Sequence, residues 1–258
     1  MIYIRCFVRF LLAIFILPKN VLLYCLGYLN RGKSQIVDAL FSDGYFVYGD
    51  RLPISEIDKL RDIFYDMGEQ VDMASSGQSN GRIMMPHLKS EYIAEYAARF
   101  FPVAKDFFNH SSVDIELSMF QISKVETDMN NIPGGGYHVD DNKKNLKFFV
   151  YLTDVNEKNG PFTLSPRSHG LTWLKVVRGF GWEVTTNRKY FYMEELPEGC
   201  QPPIQVLGEK GTIFCADTTI YHKAERITEG ERLVLVISFA ENRLDPYRLL
   251  YKNKVAYE

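Results

Sequence analysis

His138 and Asp140 stand two residues apart in Gly134-Gly135-Gly136-Tyr137-His138-Val139-Asp140, a spacing that lets an imidazole and a carboxylate converge on one ion. Side chains two apart on an extended strand share a face, so His138 Nε2 and an Asp140 oxygen can point the same way. Two ligands do not make a catalytic metal site. The candidate for the third is His222, in Asp217-Thr218-Thr219-Ile220-Tyr221-His222-Lys223. Two imidazoles and one carboxylate on one side of a metal leave the opposite positions open, the arrangement that lets Fe(II) bind further reactants. This pattern is that of an enzyme.

Arg232 stands ten residues beyond His222 and heads the apolar run Arg232-Leu233-Val234-Leu235-Val236-Ile237-Ser238-Phe239. An arginine opening such a strand can lie inside the mouth of a barrel as a bidentate clamp for a carboxylate. The competing reading is an edge salt bridge to Glu231 or Glu225. Each of these residues is weak evidence alone, in a chain with five histidines. Taken together and in order, they define a site.

The elements that must position these groups are legible as patterns. Helices are expected over Gln35–Phe41, over Glu56–Glu69 with Ser55 as its cap, and over Tyr92–Phe108 as one amphipathic segment. Tyr45–Tyr48 reads as a strand and Ser75–Arg82 as a polar, glycine-bearing loop. From Val113 onward the pattern is strand after strand: Leu146–Val155, Phe162–Leu164, Gly211–Ala216 and Leu233–Phe239. Turn signals at Glu157–Pro161 and Thr228–Gly230 punctuate them. This spacing predicts a mainly β fold, a double-stranded β-helix or jelly-roll barrel of the cupin type, with helices buttressing one face.

Composition narrows the class. At 258 residues the chain is long enough for one large catalytic domain, expected over residues 35–258. The net charge of −2, with both signs interspersed and no basic run, leaves no footprint for nucleic acid. Cys6, Cys25, Cys200 and Cys215 lack metal-type spacing and the density of a disulfide scaffold, so reduced thiols in a cytoplasmic setting are expected. Residues 1–34 form a separate apolar segment. Phe10–Leu17 and Val21–Leu29 are broken by Pro18-Lys19-Asn20, and neither half reaches the ~20 apolar residues of a membrane span. A buried helix and a peripheral membrane contact through residues 1–30 are the two readings.

Three stretches carry a family likeness: YHVDD, then KFFVYLTDVNEKNGPFTLSPRSHG, then GTIFCADTTIYHKAERITEGERLVLVISF, with FSDGYFVYGDRLPISEIDKLRDIF ahead of them. Over residues 35 to 240 the sequence resembles the phytanoyl-CoA dioxygenase-like family of Fe(II)/2-oxoglutarate-dependent oxygenases. The resemblance implies that His138, Asp140 and His222 bind Fe(II) and that Arg232 holds the distal carboxylate of 2-oxoglutarate. It sets Tyr151 where the family places an aromatic or polar cosubstrate contact, a tyrosine of the barrel core being the alternative. It further implies O2 as co-reactant and a small-molecule substrate. Related halogenases replace the acid with a small residue, so Asp140 points to hydroxylation. His169 is expected to be structural and Asp141 not to be a ligand. Leu171–Leu196, with Trp173 and Trp182, and Met129–Pro133 depart from the family pattern and are expected to shape the substrate pocket. Two rival functions are a silent binding module on the same barrel and a cupin-type metalloenzyme that does not use 2-oxoglutarate.

Overall fold

The computed structural model describes residues 34–68, 80–109, 113–125, 136–140, 144–168, 193 and 195–241. The apolar N-terminal segment, Met129–Pro133, Asp141, His169, Trp173, Trp182, Cys6 and Cys25 lie outside them. Among the described residues no helix is long and apolar enough to cross a membrane.

The chain opens with α1 (Gln35–Ser42), whose N-cap Ser34 accepts a hydrogen bond from the Ile36 N–H at 3.3 Å. Strand β1 (Tyr45–Val47) follows, then α2 (Ile54–Asp66). This helix starts earlier than its pattern suggested. Pro53 occupies the cap position with no side-chain bond, and Ser55 lies inside the first turn. After β2 (Asn80–Met84), which takes in the end of the expected Ser75–Arg82 loop, a short 3₁₀ turn (Pro86–Leu88) leads to α3 (Glu91–Ala98) and α4 (Phe101–Phe108). The single helix expected over Tyr92–Phe108 is thus two. Pro102 has no N–H to give the Ala98 carbonyl, so it sits in the first turn of a new helix, where that donor is spare anyway.

The remaining strands are β3 (Val113–Lys124), β4 (Leu146–Tyr151), β5 (Phe162–Leu164), β6 (Ile204–Val206), β7 (Ile213–Asp217), β8 (His222–Ala224) and β9 (Glu231–Glu241). They form two sheets, six strands in the order β1-β7-β4-β9-β3-β2 and three in the order β6-β5-β8. All pairings are antiparallel. This is a jelly roll with a large and a small sheet.

Strand alternation sorts the large sheet into two faces. Phe148, Val150, Cys215, Leu233, Leu235, Ile237 and Phe239 pack outward into one core with Leu40, Leu60, Ile93 and Phe107 of the helices. Phe149, Tyr151, Phe214, Ala216, Val234 and Val236 point inward and pack against Phe162, Leu164 and Val206 of the small sheet. On β3 a bulge between Ile115 and Leu117 switches the parity, so Val113 faces the helices before it and Phe120 and Ile122 after it. Gly211, at φ +91°, brings the turn before β7 against the start of α2. A Cβ there would lie 2.8 Å from Ile57 Cδ1 and 2.9 Å from the Leu52 carbonyl oxygen.

Candidate metal centre

His222 opens β8 at the edge of the small sheet, and the turn before it is built to aim its ring. Asp217 Oδ1 accepts from the Thr219 N–H at 3.1 Å and from Thr219 Oγ1 at 2.8 Å, while the Ile220 N–H donates to the Asp217 carbonyl at 3.0 Å. The Ile220 carbonyl is thereby fixed where His222 Nδ1 meets it at 2.9 Å. His138 is held in the same way, its Nδ1 lying 3.1 Å from the Gly136 carbonyl. With Nδ1–H donated to a carbonyl, each ring presents the bare Nε2, as metal-ligating histidines do.

The H-x-D pair sits in less regular backbone than an extended strand. Tyr137 bridges Met193, His138 bridges His222 through both backbone bonds (2.9 and 3.0 Å), and the chain then bends at Asp140, whose N–H donates to the Thr218 carbonyl at 3.1 Å. The bridge brings the two histidines together, with ring centroids 4.4 Å apart. His138 Nε2 lies 3.8 Å from Asp140 Oδ1 and His222 Nε2 3.5 Å from Asp140 Oδ2. One donor atom from each of the three lies within 4.8 Å of the others. Asp140 Oδ2 is shut off from solvent and faces two cationic or cation-binding groups, Lys147 Nζ at 2.7 Å and His222 Nε2 at 3.5 Å.

The electrostatics favour ligand forms. Burial, helped by the neighbouring His222, lowers the His138 pKa to about 4, so its lone pair is free at neutral pH. Burial works against ionising Asp140, but His222, Lys147 and His138 outweigh it and hold the carboxyl well below the usual range. Lys147 is the residue the sequence reading did not single out. It sits second in β4, on the inner face by alternation with Phe149 and Tyr151, and its Nζ lies 2.7 Å from Asp140 Oδ2. The signal available was a lone charge within the apolar run Leu146-Lys147-Phe148-Phe149-Val150-Tyr151.

Further along the inner face, Phe162 stacks on His222 (centroids 5.2 Å apart) and leads to Tyr151 and Arg232. The Tyr151 hydroxyl donates to the Val206 carbonyl at 2.9 Å and accepts from the Phe162 N–H at 3.2 Å, tying the large sheet to both β5 and β6. Burial pushes its phenol up to about 12, against the pull of the Arg232 guanidinium. Arg232 is 6% exposed. It donates through Nη1 to the Gly160 carbonyl, while its Nε is buried without an acceptor. Gly160 is at φ +71°, and a Cβ there would lie 2.6 Å from the Glu225 carbonyl oxygen, so the loop that meets Arg232 needs glycine. Glu231 pairs with Lys124 at 3.7 Å and Glu225 with Lys223 at 3.1 Å. Among the described residues no carboxylate pairs with Arg232, and burial lowers its pKa against the opposing pull of Tyr151.

No family model and no curated protein matches the sequence. Solved structures do match. The epimerase SnoN, solved with Fe3+, alpha ketoglutarate and nogalamycin RO, aligns with a TM-score of 0.65 at 16% identity over 80% of this chain and 82% of that one. HygX from Streptomyces hygroscopicus, with nickel and 2-oxoglutarate bound, aligns with a TM-score of 0.56 at 16% identity, covering 81% and 87%. EctD from S. alaskensis, with 2-oxoglutarate and 5-hydroxyectoine, gives 0.58 at 18% identity, covering 83% and 78%. The chain shares its jelly-roll fold with these proteins, each of which was solved with alpha ketoglutarate (2-oxoglutarate) bound.

Proposed function

We propose that this protein is an Fe(II)- and 2-oxoglutarate-dependent oxygenase that hydroxylates a small organic or lipid-like molecule. The observation that carries the reading is the pairing, inside one barrel, of the His138/Asp140/His222 cluster with a buried arginine that among the described residues has no carboxylate of its own. A silent binding module would need neither, and a metalloenzyme without a diacid cosubstrate would have no use for Arg232.

His138, Asp140 and His222 would hold the metal through two nitrogens and an oxygen. Bound iron with 2-oxoglutarate and O2 supplies the oxidation, in which one oxygen atom goes into succinate as CO2 leaves and the other into the substrate C–H bond. Arg232 meets the distal carboxylate with charge-assisted hydrogen bonds, aided by the acceptor-less Nε. Phe149, Phe162, Val234 and Val236 wall the inner space with apolar surface and exclude water from it. Tyr151 serves this site by holding β5 and β6 against the large sheet and by flanking Arg232. We place the domain in the cytoplasm, with residues 1–30 as a peripheral membrane contact. Among the described residues Cys200 and Cys215 form no disulfide, in keeping with a reducing compartment.

The test is uncoupled turnover. Purified protein with Fe(II), ascorbate and O2 should convert 2-oxoglutarate to succinate, and His222→Ala should not. Iron-loaded protein that forms no succinate would overturn the assignment. Once a substrate is found, a product heavier by one oxygen marks hydroxylation, and a product of unchanged mass marks an outcome such as the epimerisation for which SnoN is named.

A further inference from the structure

We infer that Lys147 is the cation partner of Asp140 within the triad: its ammonium holds the Asp140 carboxylate in place, and it sets how tightly the metal is held. The inference rests on the reading of His138, Asp140 and His222 as a metal site. Lys147 Nζ lies 2.7 Å from Asp140 Oδ2, on the same oxygen that His222 Nε2 approaches at 3.5 Å. Both partners are largely covered, each side chain being 19% exposed. A carboxylate so enclosed needs a counter-charge beside it, and Lys147 supplies one.

The register shows how a lysine reaches that point. On the flanking strands Lys147 is paired with Ala216 of β7 and Ser238 of β9, two small side chains. They leave the four-carbon stem room to lie along the inner face. Two of the neighbouring inward positions on the same sheet, Phe149 and Val236, are apolar and offer the ammonium no alternative acceptor.

The same position makes Lys147 a competitor. A divalent ion seated among the three ligands must share Asp140 with an ammonium of like sign a few ångströms away. That repulsion is strong in a covered site and weakens metal binding. Lys147 is thus a positioning residue for Asp140 in the empty site and a restraint on affinity in the filled one.

Co(II) titration of the metal-stripped full chain, without 2-oxoglutarate and followed by visible absorption, separates this from a packing role. Lys147→Met keeps the stem and removes the charge. It should bind Co(II) at least about 10-fold more tightly than wild type. Its metal-free melting temperature should fall, and its metal-loaded one should stay near the wild-type value. Lys147→Arg should bind within about threefold of wild type, since it keeps the charge. Unchanged or weaker Co(II) binding by folded Lys147→Met overturns the inference while leaving the metal site standing. Absence of Co(II) binding by wild type overturns both. If Lys147→Met does not fold without metal, Lys147→Gln replaces it with the same expected direction, and a Gln variant that binds no more tightly than wild type counts against the inference.

Discussion

The two faces of the large sheet are made by the same strands and serve opposite ends. On β4, Leu146, Phe148 and Val150 enter the helix-side core, while Lys147, Phe149 and Tyr151 turn toward the small sheet. On β9, Leu233, Leu235, Ile237 and Phe239 face the helices, and Arg232, Val234, Val236 and Ser238 face inward. On these two strands the outer face is apolar from Leu146 to Val150 and from Leu233 to Phe239 and is a device for stability. The inner face places charges at intervals in an apolar wall, which is costly unless something pairs with them. Lys147 has Asp140, and Arg232 among the described residues has only a carbonyl. A face that carries such a cost is where ligands belong.

Substitutions on the two faces should therefore separate stability from chemistry. Phe148 is fully buried between Phe100 and Phe239 on the outer face, with ring centroids 4.3 and 5.7 Å away. Phe148→Ala should cost about 3–5 kcal/mol in a denaturant titration, as large-to-small core changes do, with iron affinity of the folded fraction unaltered. A matching loss of iron affinity would mean that the two faces are not independent.

Arg232→Lys is the inner-face counterpart. A lysine offers one point charge where the guanidinium offers a fork, and losing a hydrogen bond to a charged group costs about 1.5–3 kcal/mol. The 2-oxoglutarate concentration for half-maximal turnover should rise on the order of 10- to 100-fold with iron retained. Coincident wild-type and variant curves would return Arg232 to a structural role.

The smallest effect expected is a pH slope from the outer face. His87, on the 3₁₀ turn after β2, has Nδ1 2.6 Å from Ser118 Oγ, and burial lowers its pKa from the ordinary 6.5. The unfolded chain then binds a proton more readily than the folded one. Stability is full above about pH 6.5 and falls as pH drops through and below that value. His87→Gln should show a shallower loss than wild type between pH 7 and pH 5. Equal slopes would show that this imidazole titrates alike in both states.

The sequence carried β4, β5, β7 and β9 as runs of strand-forming residues, and the turn at Glu157–Pro161 in its Asn-Gly-Pro. It carried the three metal-binding candidates as residue types in order. It did not carry the way they meet. His138 reaches His222 through a bridge between backbone segments 84 residues apart, followed by a bend, rather than along one pleated strand. Lys147 was invisible for a related reason. A lysine near the start of a strand reads as solvent-facing, and only the pairing with Ala216 and Ser238 turns it inward. The split of Tyr92–Phe108 at Pro102 and the start of α2 after Pro53 were local proline effects, present in the sequence but outweighed in the reading by the amphipathic period.

The central claim is that one barrel holds Fe(II) on His138, Asp140 and His222 and takes 2-oxoglutarate onto it through Arg232. Anaerobic addition of Fe(II) and then 2-oxoglutarate tests it directly, through the weak visible absorption of the chelate. Wild type should develop that absorption at one iron per chain, His222→Ala should not, and Arg232→Ala should need far more 2-oxoglutarate to reach it. Iron-loaded wild type that stays colourless, or a His222→Ala variant with the wild-type spectrum, would contradict the account.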